Sequence, residues 1–564
     1  MKPWSVLALL LAVAGALGLR TAGLGNRPLH NDEAINATKL ADLYELGAYK
    51  YDPHEFHGPT VYYFSLPFIA LSRGDRSGAA EISFTTTNAV PRAGRKLTPG
   101  EEAGAARGEA GFTDAQLRLV TVGFGVALLL VLPLLRDGLG DVAMVWAALF
   151  FAVSPAFVFY SRYFIHEMLL VFFTLATLAA GWRYWRTRGV LWAGSTGVGL
   201  GLMAATKETF VLTVAALVFA LAATGGWNGW RRRRSGLPKD DLGGDKSGRA
   251  GWRGRIPTGH LVFAGALAGV VWLLFFTSFF TNRAGLWDSL RTYQIWGQRA
   301  GGASPHIQPW WFYFERLLWF HPAKSPPWTE AGLLLLALVG MAAGFCGNLA
   351  RVASPLLVRF LSFFTGALML IYTVIGYKTP WCALNFWLGV ILLAGLGASA
   401  LLYSLRGLIN RVMMNLLLGA VTLHLGVQAW LLTHPFTADR RNPYTYAQTS
   451  PHERALVARL KALARVAPDG PALMMKVISP ESYWPLPWDL RGFKHVGWYE
   501  ELPEDPYAPV VVCASRLGAA LDEKSGKRWI MTGLYELRPN YFLELYVERG
   551  LWEKFVATLP READ

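Results

Sequence analysis

The sequence predicts an all-α polytopic membrane bundle of about eleven transmembrane helices, followed by a small α/β domain outside the membrane. Three observations carry this. Of 564 residues, 53% are hydrophobic and only 16% are charged, whereas a soluble chain of this size carries about 25% charge. The apolar residues fall in runs of about 15 to 22, the length that lets a helix cross roughly 30 Å of hydrocarbon. After residue 433 that pattern gives way to short strand-like runs with helical patterns between them.

The elements follow in order. Lys2 precedes a run at 4–22 that reads as an uncleaved anchor, with a cleaved signal peptide as the other reading. Residues 23–116 form a long outer loop. Within it, 73–116 is rich in Gly and Ala, balanced in charge and free of apolar periodicity, which marks a flexible insert. Gly58–Ser72 (GPTVYYFSLPFIALS) is apolar, but its 15 residues reach only about 22 Å, so it is expected to lie in the interface. Spans follow at 117–135, 142–160, 164–182, 190–206, 209–224, 259–280, 331–348, 360–376, 381–403 and 413–433. A second outer loop, 281–330, is dense in Trp, Tyr and Pro, as interfacial segments are. The membrane domain is thus 1–433. Residues 434–564 form an extracytoplasmic domain, with strands expected at 472–478, 509–513 and 529–537.

The net charge of +15 would suggest nucleic acid in a soluble protein, but clustered positives in a membrane protein report orientation. With the N-terminus inside and Gly58–Ser72 not spanning, eighteen basic residues fall on inner segments and eight on the short outer loops. The opposite parity would put Arg231–Arg234 outside. A multi-pass protein of the cell (plasma) membrane follows, with a cytoplasmic N-terminus and an extracytoplasmic C-terminal domain. The three cysteines, Cys346, Cys382 and Cys513, show no CxxC or zinc spacing.

This orientation gathers ionisable residues on the outer face. Asp32-Glu33 lie in the first loop, His54 and His57 precede the interfacial helix, and Arg162 stands beside His166-Glu167. Lys207-Glu208 interrupts a long apolar stretch, and Lys378 lies in GYKTPW. Each has a plain reading: a helix cap for Asp32, a boundary charge for Glu167, snorkelling for Arg162, a helix end for Lys378, a self-neutralising turn for Lys207-Glu208. Their shared side favours chemistry, because a charge within the membrane costs about 3 kcal/mol. A carboxylate can deprotonate a hydroxyl, and cations can stabilise a departing phosphate.

The ordered set of an acidic pair after the first span, HGPTVYYFSLPF, SPAFVFYSRYFIHEMLLVFF, ATKETF, KTPW and YWPLPW (483–488) resembles the GT-C superfamily of polytopic glycosyltransferases. That superfamily includes protein O-mannosyltransferases and aminoarabinose transferases. The set is most similar to the flippase-activity-associated family named from archaeal protein glycosylation. The resemblance, over about 25–500, implies a polyprenyl-phosphate-linked sugar donor, a lipid, glycan or protein acceptor, and inversion at the anomeric carbon. It implies Asp32 as catalytic base with Glu33 beside it, and Glu167 in a second acidic position where Asp is commoner. Lys207, Arg162 and Lys378 are expected on the lipid phosphate, His57, His166 and Glu167 around sugar, acceptor or a divalent cation, and Glu208 in the substrate site as the partner of Lys207. No cofactor is demanded; a divalent cation is one reading of the mixed carboxylate and histidine set. The competing functions are a lipid-linked-sugar flippase or a non-catalytic scaffold of surface-glycan assembly. A transporter favours charges near the midplane in paired halves, and this chain shows no such repeat. Its aromatic YWPLPW element either stacks on sugar or rests on the membrane interface.

Overall fold

A computed structural model describes residues 2–54, 57–73, 111–235, 256–300, 306–347, 352–518 and 528–559. Most of the expected flexible insert lies outside them. The chain is a multi-pass helical membrane bundle with a small C-terminal sheet domain, and each of the eleven expected apolar runs is helical, the run at 142–160 as two helices. We number the helices α1 (Pro3–Thr21), α2 (Asn31–Leu46), α3 (Thr60–Arg73), α4 (Asp114–Val131), α5 (Asp141–Val153), α6 (Pro155–Tyr160), α7 (Glu167–Thr187), α8 (Val190–Ala204) and α9 (Phe210–Ser235). They continue as α10 (Thr258–Phe276), α11 (Gly285–Ala300), α12 (Phe312–Leu318), α13 (Ala331–Cys346), α14 (Pro355–Val374), α15 (Leu384–Ser404), α16 (Leu408–Thr433) and α17 (His452–Val466). Among the described residues, eight helices are long and apolar enough to cross a membrane, and α5, α8 and α13 are shorter apolar helices. Helix α3 has 14 residues with Pro67 inside it, about 21 Å of rise.

The expected span 142–160 is broken. Ser154 leaves the helical region (φ −54°, ψ 119°) and Pro155 starts α6. Proline disfavours helical backbone at the residue before it and suits a first helical turn, so the break is local chemistry. It turns α6 and the following Ser161–His166 segment towards the α2 end of the bundle.

Helix α15 is the axis of the bundle, buried along almost its whole length. It packs on α13 through glycines: a Cβ on Gly397 would stand 1.8 Å from the Leu336 carbonyl oxygen. Only a bare backbone allows that approach, the usual device of membrane helix pairs. A second core joins α2, α3, α4 and α7, with Leu40, Val61, Leu117 and Leu170 fully buried.

The C-terminal domain is a five-stranded sheet of order β2-β1-β3-β5-β4, with β1 (Met475–Ile478), β2 (Val496–Tyr499), β3 (Val510–Ala514), β4 (Trp529–Arg538) and β5 (Tyr541–Glu548). The first three strands are parallel and the last two form an antiparallel hairpin. Strands β2 and β5 escape the sequence reading. The first is four residues long beside acidic Glu500-Glu501; the second, YFLELYVE, carries two glutamates.

The YWPLPW element is built into the contact between the membrane bundle and the sheet domain. Trp488 is buried in the α2/α4 core and Trp484 packs against it. Leu486 belongs instead to the sheet-domain core, where Tyr483 stacks towards Trp498 with ring centroids 4.9 Å apart. Alternate side chains of one short segment thus pin the two domains together.

Candidate functional site

Two adjacent carboxylates open α2 and meet opposite environments. His30 caps the helix: its ring Nδ1 accepts from the Asp32 peptide N–H at 3.1 Å, while the His30 peptide N–H donates to Glu33 Oε2 at 2.8 Å. This reciprocal cap satisfies two otherwise orphaned donors. It leaves the Asp32 side chain 40% exposed, with a long bond from Asn31 at 3.4 Å.

Glu33 is fully buried. Its oxygens accept from Arg118 (2.8 and 3.0 Å), Arg27 (2.9 Å) and the peptide N–H of Phe164 (2.9 Å). Burial alone would raise the carboxyl pKa. Arg118, Arg27 and the donated bonds outweigh it and hold the group at about 2. Glu33 has no lone pair to offer a substrate, so the structure gives it an anchoring place instead of the catalytic one expected.

Arg162, expected on the phosphate, is committed elsewhere. Its guanidinium donates to the carbonyls of Leu19, Arg20, Ala22 and Gly23, capping the C-terminus of α1. Arg20 does the same for α5, donating to Phe151 and Ala152. Cations at helix C-termini answer the orphan carbonyls and the helix dipole.

The remaining candidates do converge. The Gly58–Thr60 segment lies on the turn between α8 and α9, with Gly58 N–H on the Thr206 carbonyl at 3.0 Å and Thr60 Oγ1 on Thr206 Oγ1 at 2.8 Å. A Cβ at Gly58 would fall 2.0 Å from the Ala205 carbonyl oxygen, so only glycine fits. This docking sets His57 Nδ1 3.0 Å from Glu208 Oε2 and places its ring 4.9 Å from that of His166. Lys207 is buried and ion-paired with Glu167, the first residue of α7. His166 Nε2 bonds the Gly58 carbonyl at 3.0 Å. Its Nδ1 and Glu208 Oε1 are buried without a partner among the described residues.

Lys378 stands apart from that cluster. Its Nζ donates to Gln308 O at 3.2 Å and to Ile375 O at the end of α14. The Tyr377 ring beside it packs against those of His306 and Trp296, at centroid distances of 4.9 and 5.3 Å.

Sequence reasoning missed Arg316. It lies on α12 with its guanidinium 3.9 Å over the Phe312 ring and its buried Nε without an acceptor among the described residues. Among the described residues its carboxylate partner is exposed Glu315, at 3.6 Å. Nothing in WWFYFERLLWF separates it from an interfacial arginine. Arg118 was open to detection, being a charge at the start of a span.

No group of three or more His, Cys, Asp or Glu side chains among the described residues is disposed to hold a metal ion. Glu33 is bound to arginines, Glu167 to Lys207 and Glu208 to His57. Among the described residues they form no cation cage.

Residues 110–241 match the family model described as dolichyl-phosphate-mannose-protein mannosyltransferase. No curated protein sequence matches the chain. Among solved structures, the chain is similar to ArnT from Cupriavidus metallidurans in the apo state, with TM-score 0.58 and 14% identity over 96% of this chain and 98% of that one. It is similar to the same protein bound to undecaprenyl phosphate, with TM-score 0.55, 14% identity and the same coverages. The archaeal oligosaccharyltransferase AglB from Archaeoglobus fulgidus, in complex with an inhibitory peptide and a dolichol-phosphate, aligns with TM-score 0.50 and 14% identity over 92% of this chain and 70% of that one. The fold is therefore the GT-C fold that the sequence resemblance implied.

Proposed function

We propose that this chain is an integral-membrane glycosyltransferase that moves a sugar from a polyprenyl-phosphate carrier to a hydroxyl of a lipid, glycan or protein acceptor. One observation carries the reading: Asp32 is an exposed carboxylate at the start of α2, beside a Glu33 saturated by arginines, within a fold shared with an undecaprenyl-phosphate-bound structure. The basic residues of the inner loops support a site on the extracytoplasmic face, with the N-terminus in the cytoplasm.

Asp32 takes the proton of the acceptor hydroxyl as its oxygen attacks the anomeric carbon. The carbon–oxygen bond to phosphate breaks from the opposite face, and the carrier leaves as polyprenyl phosphate. A phosphate dianion leaves without general-acid help, so one base suffices and the configuration inverts. Lys207, held by Glu167, and Arg316 stabilise the developing phosphate charge, with Lys378 behind them. Arg162 and Glu33 belong to the scaffold. His57, His166 and Glu208 present acceptor atoms to sugar hydroxyls. Nothing in the likenesses above points to a flippase.

The test is release of polyprenyl phosphate from a panel of polyprenyl-phosphate sugars by purified protein in lipid. Turnover of one donor that vanishes in Asp32→Asn, with inverted product, supports the reading. Retained configuration, or full activity without the Asp32 carboxylate, removes it.

A further inference from the structure

We infer that His30 and Tyr446 set the position of Asp32 relative to the cation side of the site, which makes His30 a positioning residue for transfer. The inference rests on the transferase reading above.

The partners of His30 fix its protonation. A peptide N–H donates to Nδ1, so that nitrogen is bare; the Tyr446 carbonyl, 2.9 Å from Nε2, only accepts, so Nε2 carries the proton. The ring is neutral, a single tautomer and 3% exposed. It is wedged between Tyr163 and Trp381, at centroid distances of 5.9 and 5.7 Å.

Capping alone does not call for histidine. Ser, Thr, Asp and Asn are the preferred caps, and none of them reaches a second carbonyl beyond the helix end as the far imidazole nitrogen does. That second bond ties the start of α2 to the segment joining α16 to the sheet domain. Tyr446 then reaches across the site. Its hydroxyl meets His306 Nδ1 at 2.7 Å, and the His306 carbonyl accepts the Lys378 peptide N–H at 2.9 Å. A continuous path of Asp32, His30, Tyr446, His306 and Lys378 joins the base to the loop carrying a cation. Gln448 and Thr449 reinforce it by bonding Arg27 at 3.4 Å and the Leu29 carbonyl at 2.7 Å. The polypeptide leading into the C-terminal domain is thus built into the support of the base, and misplacement by about 1 Å costs on the order of 10²-fold in rate.

Two variants separate positioning from capping. His30→Asn preserves the cap and deletes the bond to Tyr446. Tyr446→Phe preserves that bond and deletes the one to His306. Each is compared with wild type and Asp32→Asn for thermal stability, polyprenyl-phosphate affinity, and kcat and KM for the donor that wild type turns over. The expected result for His30→Asn is a folded protein with a modestly lowered melting temperature from the lost ring packing, unchanged carrier affinity, and kcat lower by about 10²-fold. Tyr446→Phe is expected to lower kcat by about 10-fold on the same grounds. Wild-type kcat in folded His30→Asn overturns the inference; should that variant not fold, wild-type kcat in Tyr446→Phe overturns it. A wild-type protein that turns over no donor, or an active Asp32→Asn, fails the transferase reading itself and takes the inference with it. A wild-type-like His30→Asn beside an inert Asp32→Asn sinks the inference alone.

Discussion

Arg118 and Glu33 form a bidentate ion pair at 2.8 and 3.0 Å with neither side chain exposed. It joins the first turn of α2 to the second turn of α4, and the same Arg118 also takes the carbonyls of Leu24, Arg27 and Pro28. The two carboxylates of the acidic pair therefore divide the work: Glu33 fixes the helix and Asp32 projects from it.

Removing one member of a buried pair leaves the other charged and unpaired, which costs about 3–5 kcal/mol. Glu33→Gln and Arg118→Met are expected to lower the melting temperature in detergent sharply and to abolish activity with it. Asp32→Asn, at an exposed position, is expected to melt like wild type while losing about 10²–10⁴-fold in turnover. Thermal unfolding measured beside donor turnover separates the two residues.

The Glu33 pair also predicts an acid limit. Its pKa lies at about 2 in the fold against an ordinary value of 4.5. The stabilisation is present above 4.5 and lost as pH falls towards 2, about 3 kcal/mol in all. Melting temperature measured from pH 6 to pH 3 is expected to fall steeply below about 4.5, and less steeply in Glu33→Gln.

An alkaline limit is expected at the domain seam. Glu453 and Asp489 are largely buried side by side, each with a buried oxygen that has no donor among the described residues. Burial first, then their mutual repulsion and Asp114, raise the pKa of Glu453; burial and Asp114 raise that of Asp489. A carboxyl with a raised pKa stabilises the fold below its unfolded value, and the benefit is lost as pH rises through the folded one. Arg454, Lys461 and Arg491 face the pair but are partly engaged, Arg454 with Asp114 at 2.8 Å. Proteolysis of the segment joining α16 to α17 is expected to quicken with rising pH. Glu453→Gln is expected to flatten that dependence.

Arg316→Gln is expected to weaken polyprenyl-phosphate binding by about 10-fold, as loss of one charge-assisted contact does, without changing the melting temperature. Lys207→Met removes a cation too, but it also strands Glu167 in a buried site, so a loss of stability of about 3–5 kcal/mol is expected beside the loss of binding. Equilibrium binding of the carrier, measured with unfolding for both, tells them apart.

Much of the fold is legible in the chain. Apolar run length gives each membrane helix because a helix must cover the hydrocarbon with its own hydrogen bonds satisfied, and Pro155 carries the one broken span. The sheet domain is half legible: β1, β3 and β4 read as strands, while β2 and β5 do not, because pairing inside the sheet decides short or charged strands. Of the site, the order of Asp32, His57, Glu167 and Lys207 along the chain and their place at the ends of apolar runs can be read from the sequence. Which charge reacts and which holds the scaffold cannot.

The sequence by itself determined a membrane bundle, its helices, and a collection of ionisable residues whose cost in a membrane demands partners. Only the tertiary structure decided the partners. Arg118 saturates Glu33, carbonyls of α1 and the turn after it saturate Arg162, Glu167 takes Lys207, and His30 hands Asp32 to Tyr446. The physical reason is that a charge announces only its desolvation cost. What offsets that cost comes from residues up to several hundred positions away, as Tyr446 is from His30, and no local pattern encodes them.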